Sequence, residues 1–426
     1  MVKPVDLLVH SASQVCTVPA HDGAPQRGSG LGTLGIVENG AVAIDQGKII
    51  EVGPSSSLRM VYEGQRQIDA TGRAIVPGLV DPHTHLVWVG ERAAEFEMRI
   101  AGATYMEIMA AGGGINSTVQ RVRAASVEQL MAETRQRLDR LLRLGTTTVE
   151  IKTGYGLDTA TELKQLDAIY RLADEHSVSI VATFMGAHAV PPEYRGRTDA
   201  YVELVVNEMI PAVAGFARER GKPLPFVDVF CEAGVFDVAQ SRQILEAGAQ
   251  SGMPLKLHAD EFASLGGARL AVELGAISAD HLVKTPAEDI RALGAEDTIA
   301  VSLPATPFGL GHHEFTPARA ILEAGGALAL ATDCNPGPAW CESMQFVMAL
   351  ACRYLRLTPA EALAAATINA AFALGLSSQV GSLEVGKQAD LLILDAPDYR
   401  HLAYRFGGNL VRTVVKAGRV YEFERN

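Results

Sequence analysis

Cysteine is scarce in this chain: five residues in 426 (Cys16, Cys231, Cys334, Cys341 and Cys352), odd in number, widely spread and never in a C-x-x-C pair. That excludes a disulfide framework and a thiolate metal site, and it fits a reducing, cytoplasmic compartment. Positive charge is also in deficit, with 37 Lys and Arg against 49 Asp and Glu and a net charge of −12. A chain of that sign does not coat a polyanion, so nucleic acid is not an expected partner. No membrane span is expected either. The longest uncharged stretch, 362–383, carries Thr367, Asn369, Ser377, Ser378 and Gln379 and follows the capping box Thr358-Pro359-Ala360-Glu361. It reads as one buried helix ended by Gly375. At the N-terminus Asp6 interrupts the apolar stretch after Lys3, too early for a secretory leader. Low-complexity tracts and internal repeats are absent.

What is there is an ordinary globular composition, 48% hydrophobic and 20% charged, and a length that suggests two or three domains at about 150 residues each. The first 75 residues show short β-type runs at 6–9, 40–44 and 48–52 with turn signals between them. From about Gly381 the pattern returns, at 389–394 and 411–421. The expectation is one β-sandwich domain formed by 1–75 and 381–426, with a separate unit at 76–380.

That middle unit alternates. Strand-like runs fall at 79–85, 146–151, 179–185, 226–232, 254–258, 277–281, 298–303 and 327–333, with helical segments between most of them. The clearest helix spans 126–144, started by Ser126-x-x-Gln129 and stopped by Gly145. Eight β units alternating with helices over some 300 residues predict an α/β fold, a (β/α)8 TIM-type barrel. An open doubly wound sheet is the competitor. Polar residues at the C-terminal ends of many different strands (His83, His85, Lys152, Glu232, His258, His281 and Asp333) favour the barrel, where they converge.

The sharpest local feature is Asp81-Pro82-His83-Thr84-His85, in which alternation sends His83 and His85 to one face. An H-x-H pair alone is weak evidence for a metal. His258 and Asp333 strengthen it, because each ends an apolar strand where an unpaired polar group is costly. Three imidazoles and a carboxylate suit one divalent first-row ion, zinc or iron, with ligand type leaving the two open. Such an ion lowers the pKa of a bound water from about 15.7 to about 7. Ala111-Gly112-Gly113-Gly114 lacks the Gly-Lys-Ser/Thr of a phosphate loop, and Gly28 to Gly35 reads as a flexible loop.

The order of H-x-H on strand 1, His258 on strand 5, His281 on strand 6 and Asp333 on strand 8 resembles the amidohydrolase superfamily. That family's barrel carries a β-sandwich built from both chain ends, so the likeness covers essentially the whole chain. Six segments are similar, within it, to the imidazolonepropionase family: DPHTH at 81–85, GERAAEF at 90–96, AGGGI at 111–115, EIKTGYGL at 150–157, LHADE at 257–261 and ATDCNPG at 331–337. The resemblance implies hydrolysis of 4-imidazolone-5-propanoate, a step of histidine degradation, to N-formimidoyl-L-glutamate by a homodimer. It implies that His83, His85, His258 and Asp333 hold one ion per subunit. Glu232, not a lysine, ends strand 4, which disfavours the two-metal version. Asp333 is then the proton acceptor for the attacking water, Glu261 the donor to the leaving ring nitrogen, and His281 the group that orients the water. Arg92 offers a bidentate fork for the propanoate carboxylate, and Tyr155, His188, Glu261, Asn335 and Gly337 are the further substrate contacts. The sequence departs from the family after Asn335-Pro336-Gly337, where Pro338 replaces a small hydroxyl residue; position 338 is left out of the site. Cys334 is expected to be a packed thiol. His312 and His313, in a glycine-rich loop after strand 7, are candidates for a lid.

Two other readings stay open at this point. A purine or pyrimidine deaminase shares the H-x-x-E arrangement of His258 and Glu261, and ammonia release distinguishes it. A barrel that binds metal without turnover is disfavoured by the intact proton-transfer set of Glu261, His281 and Asp333.

Overall fold

The β-rich opening of the chain forms β1 (Lys3–Cys16), β2 (Ile36–Asp45), β3 (Lys48–Pro54), β4 (Tyr62–Asp69) and β5 (Ala74–Pro77) in a computed structural model that describes residues 2–103, 107 and 113–423. Ala111 and Gly112 of the glycine-rich segment lie outside the described residues. The alternating middle forms β6 (Leu79–Asp81), β7 (Thr146–Lys152), β8 (Ser179–Ala187), β9 (Phe226–Cys231), β10 (Lys256–Ala259), β11 (Ser278–His281), β12 (Ile299–Ser302) and β13 (Leu328–Leu330). The chain end adds β14 (Leu391–Leu394), β15 (Val411–Lys416) and β16 (Arg419–Glu422).

Both chain ends share one sheet, in the order β16-β15-β14-β5-β1-β2-β3, with β4 also paired to β1. Two of its hairpins turn at Gln46-Gly47 and Ala417-Gly418, each with positive φ at both positions, the geometry that matches the twist of a two-residue hairpin. Leu7, Val9, Val42, Ile44, Ile75, Leu391, Ile393 and Val415 bury their side chains together, so residues from both ends fill one core. The sheet is tied to the barrel by buried Lys416, whose Nζ meets Asp390 Oδ2 at 2.7 Å and Ser179 Oγ at 2.8 Å.

β6 to β13 lie side by side in chain order and all parallel. The two ends of this ladder meet: Asp333 N donates to His83 O at 3.1 Å and His85 N to Cys334 O at 2.9 Å. The sheet therefore curls into a nearly closed barrel rather than the open competitor. β7 is buried along its whole length, as expected of a strand covered on both faces. The helix over Val127–Arg143 is capped by Ser126 Oγ and buries Leu130, Met131, Leu138, Leu141 and Leu142. The continuous helical stretch Thr198–Glu219 is long and apolar enough to cross a membrane. Tyr201, Val202, Val205, Met209, Ile210, Val213 and Ala217 of that stretch are buried in the protein core instead.

Several boundaries differ from the sequence reading, among them β13, expected over 327–333 and found at Leu328–Leu330, and two differences have a local cause. The helix expected from Ala362 to Gly375 is two short ones, Pro359–Ala365 and Ile368–Phe372. Thr367 separates them at φ −132 and ψ −92, outside helical space. The first barrel strand ends at Asp81, because Pro82 has no N–H to continue the ladder.

Candidate active site

Beyond Asp81 the H-x-H segment is held by hydrogen bonds from both sides. Thr84, between the histidines, donates its N–H to Glu150 Oε2 at 3.0 Å and its hydroxyl to Glu150 O at 2.5 Å, and accepts from Lys152 N at 3.0 Å. On the other edge are the two bonds to residues 333 and 334 that close the barrel. Asp333 and His281 leave their strands with φ of +54 and +77. Left-handed backbone at a non-glycine residue costs roughly 1–3 kcal/mol and persists only when its surroundings fix it. For Asp333 those surroundings include Thr306, whose hydroxyl donates to Oδ2 at 2.5 Å, and Asn335 Nδ2, which donates to Asp333 O at 2.6 Å.

The four side chains expected at an ion do converge. His83, His85 and Asp333 form one group and His83, His258 and His281 another, with ligand atoms inside each group within 4.8 Å of one another. Asp333 Oδ1 lies 3.6 Å from His83 Nε2 and 3.5 Å from His85 Nε2. Among the described residues, His83 Nε2, His85 Nδ1, His258 Nε2 and His281 Nε2 are buried with no hydrogen-bond partner. Such orphans are costly in a closed interior, and a divalent ion supplies what they lack. Burial holds the His83, His85 and His281 rings well below the ordinary imidazole pKa, so they stand neutral, the form that binds metal. Burial also raises Asp333 to about 6.

Two carboxylates orient these rings from behind. Asp280 Oδ2 is 2.6 Å from His83 Nδ1, and Asp228 Oδ2 is 3.0 Å from His258 Nδ1. Each leaves the opposite ring nitrogen free to face the cluster, the carboxylate–histidine arrangement common behind metal ligands. Sequence reasoning missed both. The available signal was a charge inside an apolar strand, Asp228 in FVDVFC and Asp280 directly before His281.

Glu261 joins the cluster from the loop after β10, its Oε2 3.6 Å from His281 Nδ1. Burial, with Asp333 and Glu232 nearby, pushes its carboxyl well above the usual range. A group so shifted keeps its proton to higher pH than an ordinary carboxyl and can give it away. Glu232, at the end of β9, accepts from Ala233 N at 2.8 Å and from Phe262 N at 2.9 Å, so it fixes the peptide that follows Glu261. A cleft of about 440 Å³ opens beside Glu261, lined also by Phe262, Lys284, Thr306, His312 and His313.

The remaining expected residues flank the cluster on its other side. The His188 ring stacks on His85 with centroids 4.8 Å apart, its Nδ1 3.0 Å from Gly154 O. Burial lowers it to about 3. Tyr155 is buried with its ring 6.0 Å from His85 and 5.3 Å from His188. Asn335 Oδ1 accepts from Gly337 N at 2.8 Å. Arg92 already holds a carboxylate, since Nε and Nη2 reach Glu95 Oε2 at 2.8 and 2.7 Å. Its Nη1 is left toward Gly337, where a Cβ would come within 2.9 Å of it. Cys334 is buried, which pushes its thiol well above the ordinary range, as expected for a packed side chain.

The model of the amidohydrolase family matches residues 74–421. An imidazolonepropionase of Herpetosiphon aurantiacus is 56% identical over 418 residues, covering 97% of each chain. One from Chloroflexus aggregans is 51% identical over 425 residues, 98% of this chain and 99% of the relative. Among solved structures, an adenosine deaminase from Xanthomonas campestris with bound zinc superposes with a TM-score of 0.71 at 22% identity. It covers 99% of this chain and 93% of that one. At that identity the likeness speaks for the fold.

Proposed function

The chain belongs to the amidohydrolase family and, within it, to the imidazolonepropionases, and from that premise we propose that it hydrolyses 4-imidazolone-5-propanoate to N-formimidoyl-L-glutamate. The observation that carries this reading is the convergence of His83, His85, His258, His281 and Asp333 in two ligand groups that share His83, with Glu261, its carboxyl raised by burial, beside them. His83, His85, His258 and Asp333 would hold one divalent ion, zinc or iron, since neutral imidazoles and one carboxylate suit either. Bound there, such an ion supplies Lewis acidity, polarising a carbonyl and making water acidic near neutral pH.

The chain's own groups divide the rest of the work. Asp333 takes a proton from the water that adds to the ring carbonyl carbon. His281, beside Glu261, orients that water. Glu261 gives its proton to the ring nitrogen as the carbon–nitrogen bond breaks, so the water oxygen ends in a new carboxylate and the nitrogen stays in the formimidoyl group. No ammonia leaves. Arg92 meets the propanoate carboxylate, with Tyr155, His188, Asn335 and Gly337 shaping the pocket around the ring. This role asks Arg92 to share its guanidinium between Glu95, which holds Nε and Nη2, and substrate, which would meet Nη1 on the side of Gly337.

The test is a paired assay. Protein supplied with 4-imidazolone-5-propanoate is followed by loss of the substrate's ultraviolet absorbance, with formimidoylglutamate and ammonia quantified before and after chelation. Metal-dependent formimidoylglutamate without ammonia is expected. A metal-loaded protein inert on this substrate but releasing ammonia from purines or pyrimidines overturns the reading.

A further inference from the structure

Lys152 ends β7 with its side chain completely buried, and the reaction above makes no use of it. A buried ammonium is tolerated only among carboxylates. Here Nζ lies 2.6 Å from Glu150 Oε1 and 2.8 Å from Asp228 Oδ2. Neither carboxylate stops at the lysine. Glu150 Oε2 accepts the Thr84 N–H at 3.0 Å, between the two histidines of the H-x-H pair. Asp228 Oδ1 accepts the His258 N–H at 3.1 Å, and its Oδ2 is 3.0 Å from His258 Nδ1. The Lys152 N–H itself donates to Thr84 O.

One ammonium thus connects, through two carboxylates, the segment that carries His83 and His85 with the ring and backbone of His258. Those residues come from β10 and from the segment after β6, which β7, β8 and β9 separate in the sheet. The backbone ladder therefore does not set their mutual distance alone. Remove the ammonium and Glu150 and Asp228 face each other in a low-dielectric interior, where two like charges repel strongly. Asp228 then has reason to swing away from His258 Nδ1, and Glu150 from the Thr84 peptide. Lys256 stands differently, because its Nζ is 3.2 Å from Pro82 O and 3.7 Å from Asp280 Oδ2, on the His83 side only.

We propose that Lys152 is a positioning residue for the metal-binding histidines, acting through Glu150 and Asp228 to hold the H-x-H segment and His258 at one ion. The inference rests on the reading that His83, His85, His258 and Asp333 bind a divalent ion. It predicts an effect on the affinity for that ion, which a residue that merely fills space does not have.

The experiment measures zinc affinity by competition with a chromophoric chelator, on metal-stripped protein whose folding is checked by circular dichroism. The proteins compared are wild type, Lys152→Met, Asp228→Asn and the double variant. Each single change is expected to weaken zinc binding by about 10- to 100-fold, the usual cost of losing a group that supports a metal ligand. The double variant should be no worse than the weaker single one, because both changes break the same link. Folded Lys152→Met with wild-type affinity overturns the proposal, as do losses that multiply in the double variant. Should Lys152→Met not fold, Glu150→Gln takes its place, since among the described residues Glu150 reaches the H-x-H segment only through Thr84 and is tied to His258 only through Lys152, and an unchanged zinc affinity there is equally fatal. Wild-type protein that takes up no zinc, iron or other first-row ion removes the metal site and the inference together.

Discussion

Two residues carry opposite parts of the proposed reaction, and their variants should separate cleanly. Glu261 sits beside the cluster with its carboxyl raised by burial, so it is the group that is protonated when the reaction needs a donor. Raising the pH through its pKa strips that proton, which predicts an alkaline fall in kcat. Glu261→Gln keeps the shape and removes the proton. Metal content by elemental analysis should match that of wild type while kcat drops by about 10² or more and the alkaline limb disappears. A variant with near-normal kcat would take Glu261 out of the mechanism. Arg92 pairs with Glu95 and is proposed to meet only the propanoate carboxylate, so Arg92→Ala should leave kcat within a fewfold and raise KM for the propanoate substrate at least tenfold. An unchanged KM means the carboxylate binds elsewhere.

At the scale of elements, the catalytic side depends on how two loops rest on each other. The short helix Ala305–Leu310 after β12 carries Thr306, which bonds Asp333, and its Gly309 packs against the loop after β13. A Cβ on Gly309 would lie 1.9 Å from Pro338 O, a distance no structure sustains. Gly309→Ala must push this helix and the Asp333 loop apart, loosening the Thr306–Asp333 bond. A tenfold or greater loss in kcat/KM is expected with the thermal midpoint nearly kept, since the contact lies at the rim of the barrel. Full activity would show that the helix position does not matter to Asp333.

This is also the scale at which the sequence stops being legible. The barrel and the convergence of His83, His85, His258, His281 and Asp333 follow from strand periodicity, because a polar residue closing an apolar run has one place to go. Asp228 lies inside such a run and Asp280 directly before a strand-end histidine, and only three-dimensional packing brings their oxygens to His258 and His83. Lys152 is legible as a strand-end charge with Glu150 on the same face of β7, yet nothing in that strand names its other partner, Asp228 on β9. The helix break at Thr367 was hidden for a similar reason. Its hydroxyl bonds Leu363 O, a local choice that no apolar pattern records.

At the scale of the whole molecule, the sheet has a core of its own but also shares part of the barrel's interior. Cys16, Val18, Ala74 and Val76 from the first chain end and Leu392, Leu394, Val411 and Val414 from the second belong to the same buried cluster as the barrel's Leu130, Ile169, Ile244 and Val347. A shared core couples the two parts, so thermal unfolding should be a single transition although the chain is long. Ion binding then acts on all of it. An ion present at a thousand times its Kd adds about 4.1 kcal/mol to the folded state. For a chain of this size each kcal/mol moves the midpoint by roughly 1 °C. Chelation should lower the one transition by roughly 4–5 °C, and added zinc should restore it, with calorimetry as the measurement. Two transitions, only the upper of them sensitive to chelator, would mean that the sheet unfolds independently and that the shared core couples the parts less than its composition implies. A midpoint that ignores chelation while elemental analysis confirms metal loss would mean that the orphaned imidazoles are satisfied in some other way.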